Sequence, residues 1–533
     1  MSLDQKRANT VETWTLVATI LASSMAFIDG SALNVVLNNL QHDLNATGVQ
    51  LLWIVNAYLL VLAALILTGG ALGDRYGRNR VFGMGIAIFA TASLVCGLSP
   101  TIDILLGARV VQGVGGALMV PGSLAIINAT FRPHRRGRAI GTWSSVGALT
   151  TMSGPALGGI LASLGIWRAV FFINLPLALV ALFALTRVPE TRDESAAGHH
   201  FDVIGTELVV LALFGITYGA IGLGNGQGHL NDLRNLALPL GIITLIVFLV
   251  VESRRSYPMV PLALFRSRTF AGTNAMCVFL YGALSGTLFF LPLNLIQVQG
   301  YSPALAGLVT LPFSILLATL SPIMGRETDR FGARLLLTVG PCVVALGFVL
   351  LALPGITSGP GSYWWTYLPA ILAIGTGMGI TVAPLTTAVM ASAPMQQSGI
   401  ASGVNNAVTR SAQVLALAFL GAVALITFSQ SLQAGAASLP LSPGQRATLV
   451  SDAGKLGATS PPPGLDQHTA GQVKMTVKES FVSTFRLLAI ISACMALLSA
   501  ALAWTLVESP GKIRQEAATA PPPAVAGAAQ ADD

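Results

Sequence analysis

Apolar runs long enough to cross a lipid bilayer, about 20 residues each, recur along nearly the whole chain, separated by polar or Gly- and Pro-containing breaks. About 14 such runs are read: 14–37, 52–71, 81–99, 103–128, 139–162 and 169–187, then 204–223 and 235–252, then 269–293, 305–324, 334–353, 366–390, 403–428 and 481–507. The layout is six, two, six. It predicts an all-α integral membrane protein with a cytoplasmic amino terminus (1–13), a first six-helix bundle (14–187), a charged linker (188–203) and two additional helices (204–252). A second linker (253–268) and a second six-helix bundle (269–507) follow. The first run begins near Trp14, carries an acid and opens a long series of similar spans, features that a cleavable signal peptide lacks. Between the last two runs, residues 429–478 are rich in Ala, Gly, Ser and Pro with little periodicity, and are expected to form a flexible external loop. The tail, 508–533, has the composition of a disordered end.

Composition agrees with that pattern. Of 533 residues 53% are hydrophobic and only 10% charged, too few for a charged, water-exposed shell, and the mean hydropathy is +0.72. The net charge of +7 does not make a nucleic-acid face, because the basic residues follow alternate loops instead of gathering on one surface. With the amino terminus inside, roughly 20 of the Lys and Arg fall on the inner side and about 6 outside. The inner clusters are Arg75, Arg78 and Arg80; Arg132, Arg135, Arg136 and Arg138; Arg254, Arg255, Arg266 and Arg268; and Arg326, Arg330 and Arg334. An even number of spans returns the carboxyl terminus to the cytoplasm. The four cysteines each stand alone in an apolar run, with no histidine nearby, so no metal or cofactor is expected.

Charge is concentrated in one stretch, GGALGDRYGRNR (Gly69–Arg80), and a worn copy, GRETDRFGAR (Gly325–Arg334), returns at the inner end of the second span of the other six-span block. A weaker echo pairs QGVGGALMVPG (Gln112–Gly122) with IGTGMGITVAP (Ile374–Pro384). Two halves of the same orientation suggest a parallel repeat with a pathway at their interface. In the loop, Gly70, Gly73 and Gly77 allow close approach and a tight turn, while Asp74 can pair with an arginine or cap a helix. The copy retains Asp329 and Arg330 but has Glu327 where a Leu would stand.

Arg109, Gln112, Gly113 and Gly116 share one helical face at i, i+3, i+4 and i+7. An arginine inside a span is costly and faces a partner or water. Counting 1.5 Å per residue from each end puts Asp29 and Arg109 at similar depth. Glu207, Glu252 and Asp103 lie near span ends. A carboxyl whose affinity for protons is raised by burial and lowered by an arginine suits a group that loads and releases a proton, with a static buried salt bridge as the alternative. In the fifth span, SGPALGG (Ser153–Gly159) sets Gly154 and Gly158 on a small-residue face beside Pro155, a bend, and Gly159.

These motifs resemble the major facilitator superfamily, and the two extra spans resemble its 14-spanner drug:proton antiporter subfamily. FIDGSALNVVLNNL matches the first-span motif through Asp29 and Asn34, with Ser31 for the usual Thr and Asn38 for the usual Pro. WRAVFFINLP matches through Trp167, Arg168, Phe171, Asn174 and Pro176, and GIASGVNNAVTR through Ser402, Gly403, Asn405 or Asn406, and Arg410. The resemblance implies a cytoplasmic gate at Asp74, Arg75 and Arg78, and marks SGPALGG as an antiporter rather than a symporter sequence. The expectation is a proton-coupled antiporter of the cell membrane, both termini cytoplasmic, exporting small amphipathic molecules as a monomer by alternating access. Asp29 would carry the proton, Arg109 would tune it, and Ser31, Asn34, Gln112 and Gly113 would be pathway candidates. A proton symporter importing a metabolite and a non-transporting receptor are the alternatives. A membrane enzyme would need a nucleophile or metal constellation, and an ATP-driven pump a GxxxxGK[ST] loop; neither is found in the sequence.

Overall fold

The computed structural model describes residues 3–191, 202–224, 233–255, 258–393 and 398–508. Most of the linker expected at 188–203 and, beyond Glu508, the tail expected to be disordered lie outside the described residues. Within them the chain is helical, with no strand.

The first half contains α1 (Leu3–Asp43), α2 (Gly48–Tyr76), α3 (Arg78–Leu98), α4 (Ile102–Thr130), α5 (Pro133–Ser163) and the broken pair α6 (Ala169–Phe172) and α7 (Asn174–Leu185). Two helices follow, α8 (Val203–Gly224) and α9 (Leu233–Arg254). The second half contains α10 (Arg268–Leu293), α11 (Pro303–Val309), α12 (Leu311–Phe331), α13 (Ala333–Ala352), α14 (Tyr363–Thr366), α15 (Leu368–Ala391), α16 (Ser398–Ala437), α17 (Pro443–Ser451) and α18 (Gln467–Leu506). Among the described residues twelve helical segments are long and apolar enough to span a bilayer. The sequence reading counted two more. The run 139–162 falls in α5, whose apolar content is diluted by Thr142, Ser144, Ser145, Thr150, Thr151 and Ser153, and the run 169–187 is the shorter stretch Ala169–Leu185. Both nevertheless pack along α1.

The duplication is visible in how helices cross. Gly85 of α3 and Gly115 of α4 meet so closely that a Cβ on either would lie 2.9 Å from the other's carbonyl oxygen. Gly340 of α13 and Gly377 of α15 repeat the arrangement at 2.8 and 2.5 Å. Between helices in lipid, such small residues let backbones come into van der Waals contact where water supplies no driving force.

The helix pair α8–α9 packs on itself through Gly215, Gly219 and Gly241. One face of α8 lies against both halves: Leu213 clusters with Leu60, Ala63 and Ala64 of α2 and with Val414 of α16. α9 turns Leu240, Ile243, Ile246 and other large apolar side chains outward, as a lipid-facing helix does.

Hydrogen bonds between the two halves lie at the end opposite the arginine-rich loops. There Gln297, in a π-turn after α10, donates to Asn38 and Gln41 of α1 at 3.1 and 2.9 Å, and Ser163 accepts from the Ala304 amide at 2.9 Å. The flexible loop expected at 429–478 is not what forms at this end. α16 continues to Ala437 and α18 starts at Gln467, each 40 residues and so about 60 Å long, twice a bilayer core of about 30 Å. Between them α17 is opened by a capping box in which Ser442 and Gln445 bond each other's backbone, and a 3-10 turn runs over Asp452–Ala458. Leu441, Leu449 and Leu456 are buried against the ends of the long helices, and Gln41 of α1 donates to the Lys455 carbonyl at 2.9 Å. A few leucines spaced among Ala, Gly and Pro anchor this cap.

Trypsin offered to this face of the folded protein is therefore expected to spare the bonds after Arg446 and Lys455. Leu449→Ala, which removes about 2–5 kcal/mol of buried contact, is expected to make them cleavable. Rapid cutting of both proteins alike would mean that the cap is not packed.

Candidate functional site

The deepest charges in the first half converge where α1 crosses α4. Asp29 is 0% and Arg109 1% exposed, and Arg109 Nη1 donates to Asp29 Oδ2 at 2.5 Å. Gln112, one turn along α4, donates from Nε2 to Asp29 Oδ1 at 3.0 Å and accepts from Arg109 Nη1 at 2.7 Å. Arg109 Nε donates to the Ile54 carbonyl of α2 at 3.1 Å, and the guanidinium lies 4.4 Å from the centre of the Tyr58 ring, a cation–π contact. Beyond Gln112, Ser93 of α3 accepts from Asn174 Nδ2 at 2.8 Å and donates to the Phe171 carbonyl at 2.9 Å. One acid, one base and their polar neighbours thus tie together α1, α2, α3, α4 and α7.

The depth count in the sequence brought Asp29 and Arg109 together, and the structure does the same. Tyr58 and Ser93 were missed. Their only signal was a polar atom inside an apolar run, which many such residues share.

The pathway candidates divide. Ser31 donates to the Phe27 carbonyl at 2.7 Å and packs against Gly154 of α5, where a Cβ would overlap its Oγ. Asn34 is half-buried. Gln112 belongs to the carboxylate network. Gly113 is placed otherwise than expected: its missing Cβ makes room for Val61 and for the Tyr58 carbonyl of α2, so it is a helix-packing position rather than a lining one.

The fifth-span motif has two faces. Gly154 and Gly158 abut Ser31 and Ala32 of α1, while Gly159 abuts Pro303, and Gly307 of α11 abuts the carbonyl of Pro155. SGPALGG is thereby a joint between α1, which carries Asp29, and the second half.

Each charged loop makes its contacts inside its own half. Asp74 accepts from Arg78 Nε at 2.8 Å, one turn away, and Arg75 lies over the ring of Tyr76. Gly77, at φ 111°, makes a turn beneath the Glu190 carboxylate, which accepts from the Asn79 amide at 2.9 Å and lies 3.9 Å from Arg80. The tight glycine here is Gly69, whose Cβ would overlap the Ala117 carbonyl; Gly70 and Gly73 have only ordinary neighbours. In the copy, Gly332 is the turn glycine (φ 79°), Arg330 lies 4.0 Å from Glu327, and Asp329 is exposed. Asp74 and Asp329 are not brought together across the halves by any ion pair among the described residues. The halves also meet along α2 and α16, where Leu52 abuts Gly421 and Leu67, nearer the arginine-rich end, touches Gly403.

A sequence profile of the Major Facilitator Superfamily matches residues 19–417. The chain is 33% identical over 427 residues to the multidrug resistance protein Stp of Mycobacterium tuberculosis, covering 80% of this chain and 78% of that one. It is 33% identical over 500 residues to the tetracenomycin C resistance and export protein of Streptomyces glaucescens, covering 92% and 90%. Among solved structures, a bacterial homolog of the human lysosomal transporter Spinster, in an inward-facing and unoccupied conformation, superimposes with a TM-score of 0.64 at 18% identity over 94% of this chain and 99% of that one.

Removing one member of a buried ion pair strands the other charge. Arg109→Ala is expected to destabilise the folded protein by about 3–5 kcal/mol, read as a lowered melting temperature in detergent, while Asp29→Asn combined with Arg109→Gln is expected to recover most of the loss. A double variant no more stable than Arg109→Ala would show that packing, not charge compensation, is what Arg109 supplies.

Proposed function

This chain belongs to the major facilitator superfamily, and from that premise we propose that it is a proton-coupled antiporter exporting small amphipathic molecules by alternating access. The observation that carries the reading is the Asp29–Arg109–Gln112 network, a fully buried acid held three residues from Ala32, where α1 packs on Gly158 of the α5 joint. A proton added to Asp29 removes one side of its charge pair and leaves Arg109 with Gln112, the Ile54 carbonyl and the Tyr58 ring. That change of force falls on α1 beside the contact that α5 makes with the second half. Names of the relatives, multidrug resistance and tetracenomycin C export, support efflux as the direction.

In this reading α5 and the α6–α7 pair also cross the bilayer, for 14 crossings, and the arginine-rich loops face the cytoplasm of a cell membrane with both termini on that side. The protein works as a monomer with the proton as its coupling ion and no other cofactor. Inward proton movement supplies the drive, with the membrane potential adding about 2.3 kcal/mol per charge per 100 mV. In the return step Asp74, Arg75, Arg78, Asp329 and Arg330 form the cytoplasmic gate, exchanging contacts inside each half for contacts between halves. Ser31, Asn34 and Gln112 face or adjoin the pathway.

Everted vesicles or proteoliposomes with an imposed pH gradient, offered a panel of labelled amphipathic compounds, test the proposal. Uptake by the wild type that depends on the gradient, and that falls to the ungated background in Asp29→Asn while binding persists, is the expected result. Equal gradient-driven uptake by both proteins would remove Asp29 as the proton carrier.

A further inference from the structure

A second pair of acids lies away from Asp29, where the arginine-rich ends of α8 and α9 meet. Glu252, in the last turn of α9, is 1% exposed, and Asp202, just before α8, is 7% exposed. One oxygen of each is satisfied. Asp202 Oδ1 accepts from the Gly205 amide at 2.7 Å and from Arg255 Nη1 at 2.5 Å, and Glu252 Oε2 accepts from the Val260 amide at 3.4 Å. The remaining two oxygens, Asp202 Oδ2 and Glu252 Oε1, are buried and have no donor among the described residues.

Those two oxygens border the same space: a methyl group built on Gly205 would lie 2.7 Å from Asp202 Oδ2 and 2.8 Å from Glu252 Oε1. Two carboxylates cannot bond each other, since each only accepts. One proton between them completes an O–H···O bond and satisfies both orphan oxygens. Charge gives the same count: among the described residues Arg255 is the one base paired here, so this group is neutral when the two acids share one proton.

The surroundings supply access and a lever. A cleft of about 330 Å³, lined by Glu252, Arg255, Pro258, Pro261 and Arg266, gives water a route to the pair. Arg254, Arg266 and Glu207 are exposed, Asp202 is the ionisable group that Glu252 feels, and α2 presents Thr68. His199 and His200 lie outside the described residues. Thr206, whose hydroxyl bonds the Asp202 carbonyl at 2.8 Å, meets the Thr68 hydroxyl of α2 at 3.0 Å. The neighbours of Thr68 also meet other helices: Gly69 lies tight against the Ala117 carbonyl of α4, and Leu67 makes an ordinary contact with Gly403 of α16 in the second half.

We propose that Asp202 and Glu252 form a second proton-binding site, which reads the proton concentration at the arginine-rich face and, through Thr206 and Thr68, sets how firmly α8 and α9 hold that end of α2. With the proton in place the carboxyl pair is bonded and the helix ends are held. Its loss sets two carboxylates against one arginine and loosens them, so the grip weakens as pH rises. That this face is cytoplasmic rests on the function proposed above; the existence of the site does not.

Infrared difference spectra of the full-length protein in lipid, recorded while pH is raised, count protonated carboxyls directly and need no transported substrate. The wild type is expected to lose a protonated-carboxyl absorption that persists in Asp29→Asn and is absent from Glu252→Gln; Asp202→Asn serves where the Gln variant does not fold. Spin labels on Ile204→Cys and Tyr76→Cys are expected to separate as pH rises, and to stop responding to pH when Glu252→Gln is added. Difference spectra unchanged by Glu252→Gln or Asp202→Asn, or an absorption removed entirely by Asp29→Asn, would overturn the proposal. Failure of the export assay with this absorption intact would count against the exporter reading alone.

Discussion

An arginine with no water around it governs the first half of the molecule. The effective cost of burying an ion is several kcal/mol, and Arg109 is 1% exposed, with its guanidinium held among groups of α1, α2 and α4. The structure offsets that cost with one carboxylate, one amide oxygen, one backbone carbonyl and one aromatic face. Each of these comes from a fixed place on α1, α2 or α4, so the helices that supply them lose freedom to slide. The glycine contacts follow from this constraint. For Asp29 of α1 and Tyr58 of α2 both to reach Arg109, α4 must lie close to its neighbours, and Gly69, Gly113 and Gly115 remove the side chains that would hold it off.

The second half repeats the glycine crossings but not the Asp–Arg pair. Several of its buried polar contacts are neutral: Asn405 donates to Asn274 at 3.1 Å, Thr287 bonds Ser492 at 2.7 Å, and Asn294 bonds the Tyr367 hydroxyl at 3.1 Å; its buried charge is Arg410 of α16, whose Nε has no partner among the described residues. Neutral pairs do not change with proton supply, whereas an Asp–Arg pair does. A duplicated scaffold thus holds its buried acid–base pair in one half only. The α5–α11 contact links the halves at the end away from the arginine-rich loops.

Much of this was legible in the sequence, for stated reasons. Span positions were legible because lipid demands about 20 apolar residues at a time, and Asp29 and Arg109 could be paired because helical rise converts residue number into depth. Turn glycines were legible at Gly77 and Gly332, where positive φ excludes most other residues. The sequence singled out Gly70 and Gly73 for close approach, yet of the glycines at 69, 70 and 73 it is Gly69 that touches another backbone closely. Which glycine is needed depends on where α4 crosses α2, and one helix's sequence does not contain that. The cap at 438–466 was misread because Ala, Gly, Ser and Pro usually mean a loop. Here three leucines and a capping box suffice, because the ends of α16 and α18 already form a surface on which a short helix can pack.

The position of Asp29 along α1 bears on why the proton and the joint should be coupled at all. Had the acid stood two turns away from the α5 contact, its charge state would alter only the α1–α4 crossing, inside one half. Instead Ser31 and Ala32, within one turn of Asp29, are the residues against which Gly154 and Gly158 rest, while Pro155 and Gly159 of the same helical turns rest on α11. Any displacement of α1 that follows from changing the Asp29–Arg109 pair is therefore carried by α5 to the other half over a path with no side chain long enough to absorb it. Glycine on both faces makes that joint stiff. A stiff joint between the helix that carries the buried acid and the second half is what a transporter requires if protonation is to move the halves rather than only rearrange side chains.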